Sequence, residues 1–92
     1  MVRDVIRNKK DRLVGYRIVL FGSRARREYG ARSDFDIGVY GDTSLPVDLY
    51  SEIESDFDDL PTLYKIDWVD LHKVSPRFRA QALKESITLH EG

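Results

Sequence analysis

The feature that most constrains the fold is a pair of strand-like runs joined by a very short connection. Tyr16–Phe21 (YRIVLF) is rich in β-branched and aromatic residues and ends at Gly22, which predicts a buried strand. Residues 34–40 alternate between polar and apolar side chains, which predicts a second strand with one apolar face. Only a short helix, SRARREY, fits between them, whereas parallel neighbours need a long crossover. The spacing therefore predicts a mixed sheet.

Most of the other elements are predicted to be helices. Apolar residues recur loosely at helical spacing before Gly15, which predicts an N-terminal helix. A further helix is predicted to begin near Pro46 and to end at Pro61. Its apolar stripe is formed by Leu49, Tyr50, Ile53, Phe57 and Leu60. The acidic residues between these positions are interpreted as the solvent side of that helix, and basic residues dominate the chain before it.

The last third of the chain adds one strand and one helix to the prediction. Residues 64–71 (YKIDWVDL) are strand-like, and Ser75 followed by Pro76 begins a final helix. The apolar face of that helix is predicted to contain Phe78, Ala82, Leu83 and Ile87. The order α-β-α-β-α-β-α predicts an α/β (α+β) fold, with a mixed three-stranded sheet flanked by about four helices. The apolar strand face is expected to meet the helices, and the face with the aspartates to be partly open.

Length and composition predict one small domain. The chain has 92 residues and a formal net charge of −1, so we expect a single domain over residues 1–92. A domain of this size buries only roughly 60 to 65% of its unfolded surface, so a homo-oligomer or hetero-oligomer would extend its core. The lack of cysteine and of any long apolar run predicts a cytoplasmic protein without a membrane span. The near-zero charge argues against direct nucleic-acid binding.

Asp34 and Asp36 are the first candidate site residues. Because they lie two residues apart on a strand, their carboxylates share one face and can share or flank a metal ion. Carboxylate oxygens are the ligands that Mg²⁺ prefers. Taken alone, the sequence SDFD also fits a strand edge with solvated carboxylates.

The turn after the first strand is a candidate phosphate site. Gly22 and Ser23 lie where a strand becomes a helix, and unpaired N–H groups at a helix start favour a phosphate. The Ser23 hydroxyl is a further donor, and Arg24 or Arg26 can neutralise phosphate oxygens or a leaving pyrophosphate. Nucleotidyl transfer needs both these donors and a metal site. On its own, a Gly-Ser pair before a helix is an ordinary turn and cap.

A site with two metals needs a third carboxylate from an adjacent strand, for which the candidates are Asp67 and Asp70. Asp67 stands between Ile66 and Trp68, so it is a charged residue within an apolar strand and needs an explanation. Asp70 lies nearer the strand end, where solvation is easier. The residue pattern alone leaves the choice open.

Three segments of the chain, in order, resemble a known family. They are LFGSRAR at 20–26, SDFDIGV at 33–39 and IDWVDL at 66–71. The pattern of hydrophobic-Gly-Ser, then Ser-Asp-x-Asp, then a later Asp is similar to the minimal nucleotidyltransferases (MNT) of the polymerase beta superfamily. The resemblance extends over nearly the whole chain. Small domains of this kind are commonly the MNT half of HEPN-MNT toxin-antitoxin pairs.

The resemblance implies a nucleotidyltransferase-like fold and a Mg²⁺ site, with two metals, whose ligands and catalytic carboxylates are Asp34, Asp36 and Asp67. It implies that Gly22 and Ser23, beside Arg24, hold a nucleoside triphosphate, with ATP as the donor. In the antitoxin branch, it implies that a tyrosine hydroxyl of a partner HEPN toxin is the acceptor. The product would be an AMP-modified and inactivated toxin.

The chain departs from the family at Arg27, the position directly after GSRAR, where relatives often have a glycine. Glu28 follows it. A bulky residue there can alter the loop before Ser33. Two other functions stay open on the sequence. One is a binding module that neutralises a HEPN toxin by contact alone, and the other is a nucleotide sensor that binds a triphosphate without chemistry.

Overall fold

The computed structural model describes residues 2–22, 35–61 and 65–92. Within these ranges, helices and strands follow the order α1 (Val2–Asn8), β1 (Tyr16–Phe21), β2 (Phe35–Gly41), α2 (Val47–Asp58), β3 (Ile66–Asp70), α3 (Pro76–Lys84) and β4 (Ile87–Glu91). A single 3₁₀ turn, Lys10–Arg12, follows α1. The short helix predicted for residues 23–29 lies outside the described residues. In the ranges above, no helix has the length and apolar character that a membrane span requires.

The strands form one mixed sheet with the order β3-β2-β1-β4. β1 pairs antiparallel with both β2 and β4, whereas β2 pairs parallel with β3. The antiparallel pairing of β1 with β2 agrees with the short connection between them, because parallel strands need a longer crossover. The predicted fold class and the mixed sheet are confirmed.

The predicted strand count is wrong, since the described sheet has four strands and not three. Ile87, which was expected on the apolar face of the last helix, is the first residue of β4. That helix ends at Lys84, and the Ser86 hydroxyl then donates a hydrogen bond of 3.0 Å to the Leu83 carbonyl. The pairing of β4 satisfies backbone groups on the free edge of β1, which outweighs the continuing helical spacing. β1 is therefore a central strand.

Helices cover both faces of the sheet. On one face, Ile18 and Ile37 belong to the larger apolar cluster, which also contains buried residues of α1 and α2. On the other face, Val19 and Leu71 are fully buried in a smaller cluster with Ala82 of α3. The apolar strand face meets helices as predicted, and the face with the aspartates is partly covered by α3.

The solvent side of α2 meets the basic start of the chain. Lys9 Nζ lies 3.3 Å from Glu52 and 3.5 Å from Asp56, and Arg12 lies 2.5 Å from Glu52. The hydrogen bonds from Arg12 and Lys9 lower the pKa of Glu52 below its ordinary value. The acidic residues from Glu52 to Asp59 are exposed or half-buried, which confirms their interpretation as the solvent side of the helix. The separate basic and acidic stretches of the sequence are neighbours in the fold.

Candidate active site

Strand pairing brings Asp36 and Asp67 side by side. In the parallel pairing of β2 with β3, these two residues are direct Cα partners. In the antiparallel pairing of β1 with β2, Asp36 is the partner of Phe21. Directly paired residues project from the same face of a sheet, and neighbouring strands are only about 5 Å apart. Both carboxylates therefore lie on the face that α3 partly covers.

Gly22 follows β1 and lies against the Asp36 side chain. Its φ angle is +76°, in the left-handed region that favours glycine. A Cβ atom at this position would collide with Oδ2 of Asp36 and would lie 3.1 Å from its Cγ. The sequence predicts a glycine that lets the backbone approach a phosphate closely. The structure shows a close approach to the Asp36 carboxylate, and only glycine permits it without movement of that side chain.

Asp70 lies on the opposite face from Asp67 and has a structural role. It is only 7% exposed. Its Oδ2 accepts a hydrogen bond of 3.0 Å from the Leu45 backbone N–H, and its Oδ1 accepts one of 2.9 Å from the His72 N–H. The expectation that Asp70 is easily solvated is wrong, because these donors hold its carboxylate inside the protein. These hydrogen bonds connect the end of β3 to Leu45, which precedes α2, and to His72, which follows β3.

Asp67 is accessible, in contrast to Asp70. Its side chain is 38% exposed, and its Oδ1 lies 3.5 Å from Nζ of Lys65, a side chain that is itself 72% exposed. An ion pair between exposed groups contributes little stability, so it does not commit the carboxylate to a structural role. The apolar neighbour Trp68 is buried on the other face of the strand, which explains how a charged residue fits this segment. Of the two candidates, Asp67 is the one placed beside Asp36.

A pocket of about 340 Å³ opens at this face of the sheet. It is lined by Phe21, Gly22 and Asp36 from the β1 and β2 side, and by Phe78, Gln81 and Ala82 from α3. The sequence did not assign the α3 residues to the site, since apolar residues at helical spacing indicate a core face first. Their only sequence signal is the position of α3 directly after the strand that carries Asp67.

The other predicted site residues, Asp34, Ser23 and Arg24, lie outside the described residues, as does Arg27. Within the described ranges, no three acidic, histidine or cysteine side chains form a group that could hold a metal ion. Asp36 and Asp67 nevertheless offer carboxylate oxygens in register on adjacent strands, which is the donor type that Mg²⁺ takes. The carboxylates of Asp36 and Asp67 therefore fit such an ion. A further ligand would have to come from outside the described residues or from a bound nucleotide.

A mixed sheet with a glycine after its first strand and paired aspartates on the next two strands has the arrangement of a nucleotidyltransferase fold. Residues 6–92 match the family model described as "Polymerase beta, Nucleotidyltransferase". The chain therefore belongs to the polymerase beta nucleotidyltransferase family. Among curated proteins, none matches the sequence.

Several solved structures share this fold. A toxin-antitoxin crystal structure with AMP-PNP has a TM-score of 0.66 and 23% identity, over 100% of this chain and 75% of its own. The tri-AMPylated Shewanella oneidensis HEPN toxin in complex with MNT antitoxin gives 0.60 and 23%, over 99% and 70%. A protein described as a candidate minimal nucleotidyltransferase gives 0.59 and 26%, over 94% and 86%. At these identities the likeness establishes the fold.

Substitution of Gly22 tests whether its approach to Asp36 matters for ligand binding. Gly22→Ala and Gly15→Ala should each cost about 1 to 2 kcal/mol of unfolding free energy, because both glycines have positive φ. A Cβ at Gly15 would contact nothing within 4 Å, whereas a Cβ at Gly22 forces the Asp36 side chain to move. If Mg²⁺ and ATP are the ligands, as the sequence resemblance implies, only Gly22→Ala should therefore weaken ATP binding, by about tenfold or more in isothermal titration calorimetry. Equal affinities for the two variants would contradict this interpretation.

The structural role of Asp70 predicts opposite results for two aspartates on one strand. Asp70→Asn should lower the unfolding free energy by about 1 to 3 kcal/mol, because an amide cannot accept two hydrogen bonds at separate oxygens. Asp67→Asn, at an accessible position, should change it by about 0.5 kcal/mol or less. Urea denaturation followed by tryptophan fluorescence measures both values. A larger loss for Asp67→Asn would reverse the assignment of the two carboxylates.

Proposed function

We propose that this protein transfers AMP from ATP to a hydroxyl group of a HEPN-family toxin, and so acts as the antitoxin of that toxin. The observation that carries the proposal is the register that pairs Asp36 with Asp67 beside Gly22. Membership of the polymerase beta nucleotidyltransferase family supports the reaction class. Two structures of the same fold support the donor and the partner, since one contains AMP-PNP and the other contains an AMPylated HEPN toxin.

Asp34, Asp36 and Asp67 are the proposed ligands of Mg²⁺. When bound, the metal would neutralise phosphate charge and polarise the phosphorus that is attacked. Asp36 and Asp67 are held by hydrogen-bonded strands, so their carboxylates can keep a fixed separation while a nucleotide enters and leaves. Gly22, Ser23 and Arg24 are the proposed contacts to the triphosphate, through backbone N–H groups, a hydroxyl and a guanidinium.

The proposed reaction is an in-line displacement. The acceptor oxygen forms a bond to the α-phosphorus of ATP while the bond from that phosphorus to the bridging oxygen breaks. Pyrophosphate leaves with the electron pair of the broken bond. The hydroxyl proton passes to a carboxylate, for which we propose Asp67 because its side chain is accessible and stands next to Asp36.

The acidic side of α2 is a poor alternative site for the metal. Glu52 and Asp56 already form ion pairs with Lys9 or Arg12 at 2.5 to 3.5 Å. The positive charges of these side chains neutralise both carboxylates. The helix that carries them also packs on the opposite face of the sheet from Asp36 and Asp67. The pocket beside Gly22 and Asp36 is therefore the better place for a nucleotide with its metal.

Transfer of label from ATP to a cognate HEPN protein tests the proposal. With Mg²⁺, label from the α-phosphate of ATP should appear on the HEPN protein, whereas label from the γ-phosphate should not. Asp36→Asn should lower the labelling rate by about 100-fold or more while the two proteins still form a complex. Asp58→Asn, an exposed aspartate on α2, is the matched control and should retain full labelling.

Two results would contradict the proposed reaction. Equal labelling by Asp36→Asn and by the unaltered protein would exclude Asp36 from the chemistry. Neutralisation of the toxin by both proteins, with no label transferred by either, would mean that contact alone inactivates the toxin. The second result would identify the chain as a binding module of the same family.

A further inference from the structure

The third helix contributes three of the six described residues that line the pocket containing Asp36. Phe78, Gln81 and Ala82 of α3 face Phe21, Gly22 and Asp36 across a volume of about 340 Å³. Sites for small ligands occupy roughly 300 to 1,000 Å³ and combine apolar walls with a few polar groups. The pocket is therefore large enough for part of a nucleotide beyond its phosphates. The α3 side of it has no role in the reaction described above.

Phe78 is an aromatic wall of this pocket and is not a core residue. Its side chain is 47% exposed, whereas Ala82 on the same helix is 6% exposed. Its ring meets Phe21 edge-on, with 6.0 Å between the ring centroids and a 90° angle between the planes. This contact fixes the ring while about half of its surface stays open to solvent. Such a ring can stack on a nucleobase.

Gln81 provides a polar group next to this ring. It is exposed and lies three residues after Phe78, so both side chains project from neighbouring positions on the helix surface. Among the residues that the structure describes, no side chain or backbone group forms a hydrogen bond with the Gln81 amide. A glutamine amide presents one donor and one acceptor together, which complements the N6 donor and N7 acceptor of adenine. Guanine presents two acceptors at the same edge.

The position of α3 is fixed by contacts away from the pocket. The Ser75 hydroxyl accepts a hydrogen bond of 3.2 Å from the Phe78 backbone N–H, which caps the helix. The Arg79 guanidinium donates to the Leu71 carbonyl at 2.7 Å and to the His72 carbonyl at 3.0 Å. The helix is therefore tied to the end of β3, the strand that carries Asp67, and its pocket-facing side chains have a fixed distance from the carboxylates.

We propose that Phe78 and Gln81 form the nucleobase subsite of this protein, in which Phe78 stacks on the base and Gln81 selects adenine. The inference rests on the proposed function, because it assumes that the phosphates of a nucleotide lie near Gly22 and Asp36. It goes further in assigning the choice of base to two side chains of α3. Binding measurements can test it separately from transfer of AMP.

The test compares ATP, GTP and tripolyphosphate as ligands of the full chain in the presence of Mg²⁺, by isothermal titration calorimetry. Phe78→Ala should weaken ATP binding by about tenfold and leave tripolyphosphate binding unchanged within about twofold. Phe78→Tyr should restore ATP binding, since it retains the ring. Gln81→Leu should reduce the preference for ATP over GTP by about tenfold. Val47→Ala, at an exposed apolar residue of α2, is the control and should change none of these values.

Outcomes of this test distinguish the subsite from the reaction. Unchanged ATP affinity in Phe78→Ala, or an unchanged ATP preference in Gln81→Leu, would overturn the subsite while AMP transfer could still occur. The expected binding changes without label transfer to any HEPN protein would support the subsite and contradict the proposed reaction. Equal binding of ATP and tripolyphosphate by the unaltered protein would overturn the subsite directly. Circular dichroism melting of each variant confirms that the compared proteins are folded.

Discussion

The hydrogen-bonded register of β1, β2 and β3 fixes the position of every described carboxylate in the candidate site. It places Phe21 opposite Asp36 and Asp36 opposite Asp67. A slip of β3 by one residue would turn Asp67 to the other face of the sheet and bring Ile66 or Trp68 opposite Asp36. The approach of Gly22 to Asp36 depends on the same register, because it occurs one residue beyond the pair that Phe21 forms. The described part of the candidate site is thus positioned by backbone pairing.

Contacts on the far face of the sheet hold this register. The Tyr50 hydroxyl donates a hydrogen bond of 2.6 Å to the Trp68 carbonyl, and Trp68 Nε1 donates one of 3.2 Å to the Tyr50 carbonyl. Their rings are stacked with 5.6 Å between centroids. Burial raises the pKa of Tyr50, and the charges of Glu54 and Asp70 raise it further, so its hydroxyl remains a donor well above neutral pH. Because Trp68 is next to Asp67 in the chain, these bonds stabilise the strand segment that presents the Asp67 carboxylate.

The sequence could predict which face of the sheet is apolar and which face carries the aspartates, because residue alternation assigns each strand position to a face. Alternation placed Asp36 with an accessible face, and the bounds of β1 agree with Tyr16–Phe21 as predicted. β4 could not be recognised, because Ile87 continues the helical spacing of α3 and its pairing with Leu20 is a contact between distant segments. The same limit applies to the two later aspartates. The burial that distinguishes Asp70 from Asp67 depends on backbone donors at Leu45 and His72, which no local pattern reveals.

Local sequence patterns also could not show that residues of α3 line the pocket. Phe78 and Gln81 belong to an ordinary amphipathic helix when read along the chain. Only the packing of that helix onto β1 brings them opposite Asp36. Sequence motifs therefore indicated the glycine and carboxylate part of the candidate site, while the α3 wall of the pocket depends on tertiary structure.

The most direct measurement of the central claim is a titration of the protein with Mn²⁺ in the presence of ATP, followed by broadening of backbone amide signals in NMR spectra. Mn²⁺ broadens signals near the ion and takes the same oxygen ligands as Mg²⁺. The account predicts that the amides of Gly22, Asp36 and Asp67 broaden together, at lower Mn²⁺ than those of Glu52 on α2. Broadening centred on α2, with the Asp36 and Asp67 amides unaffected, would contradict it.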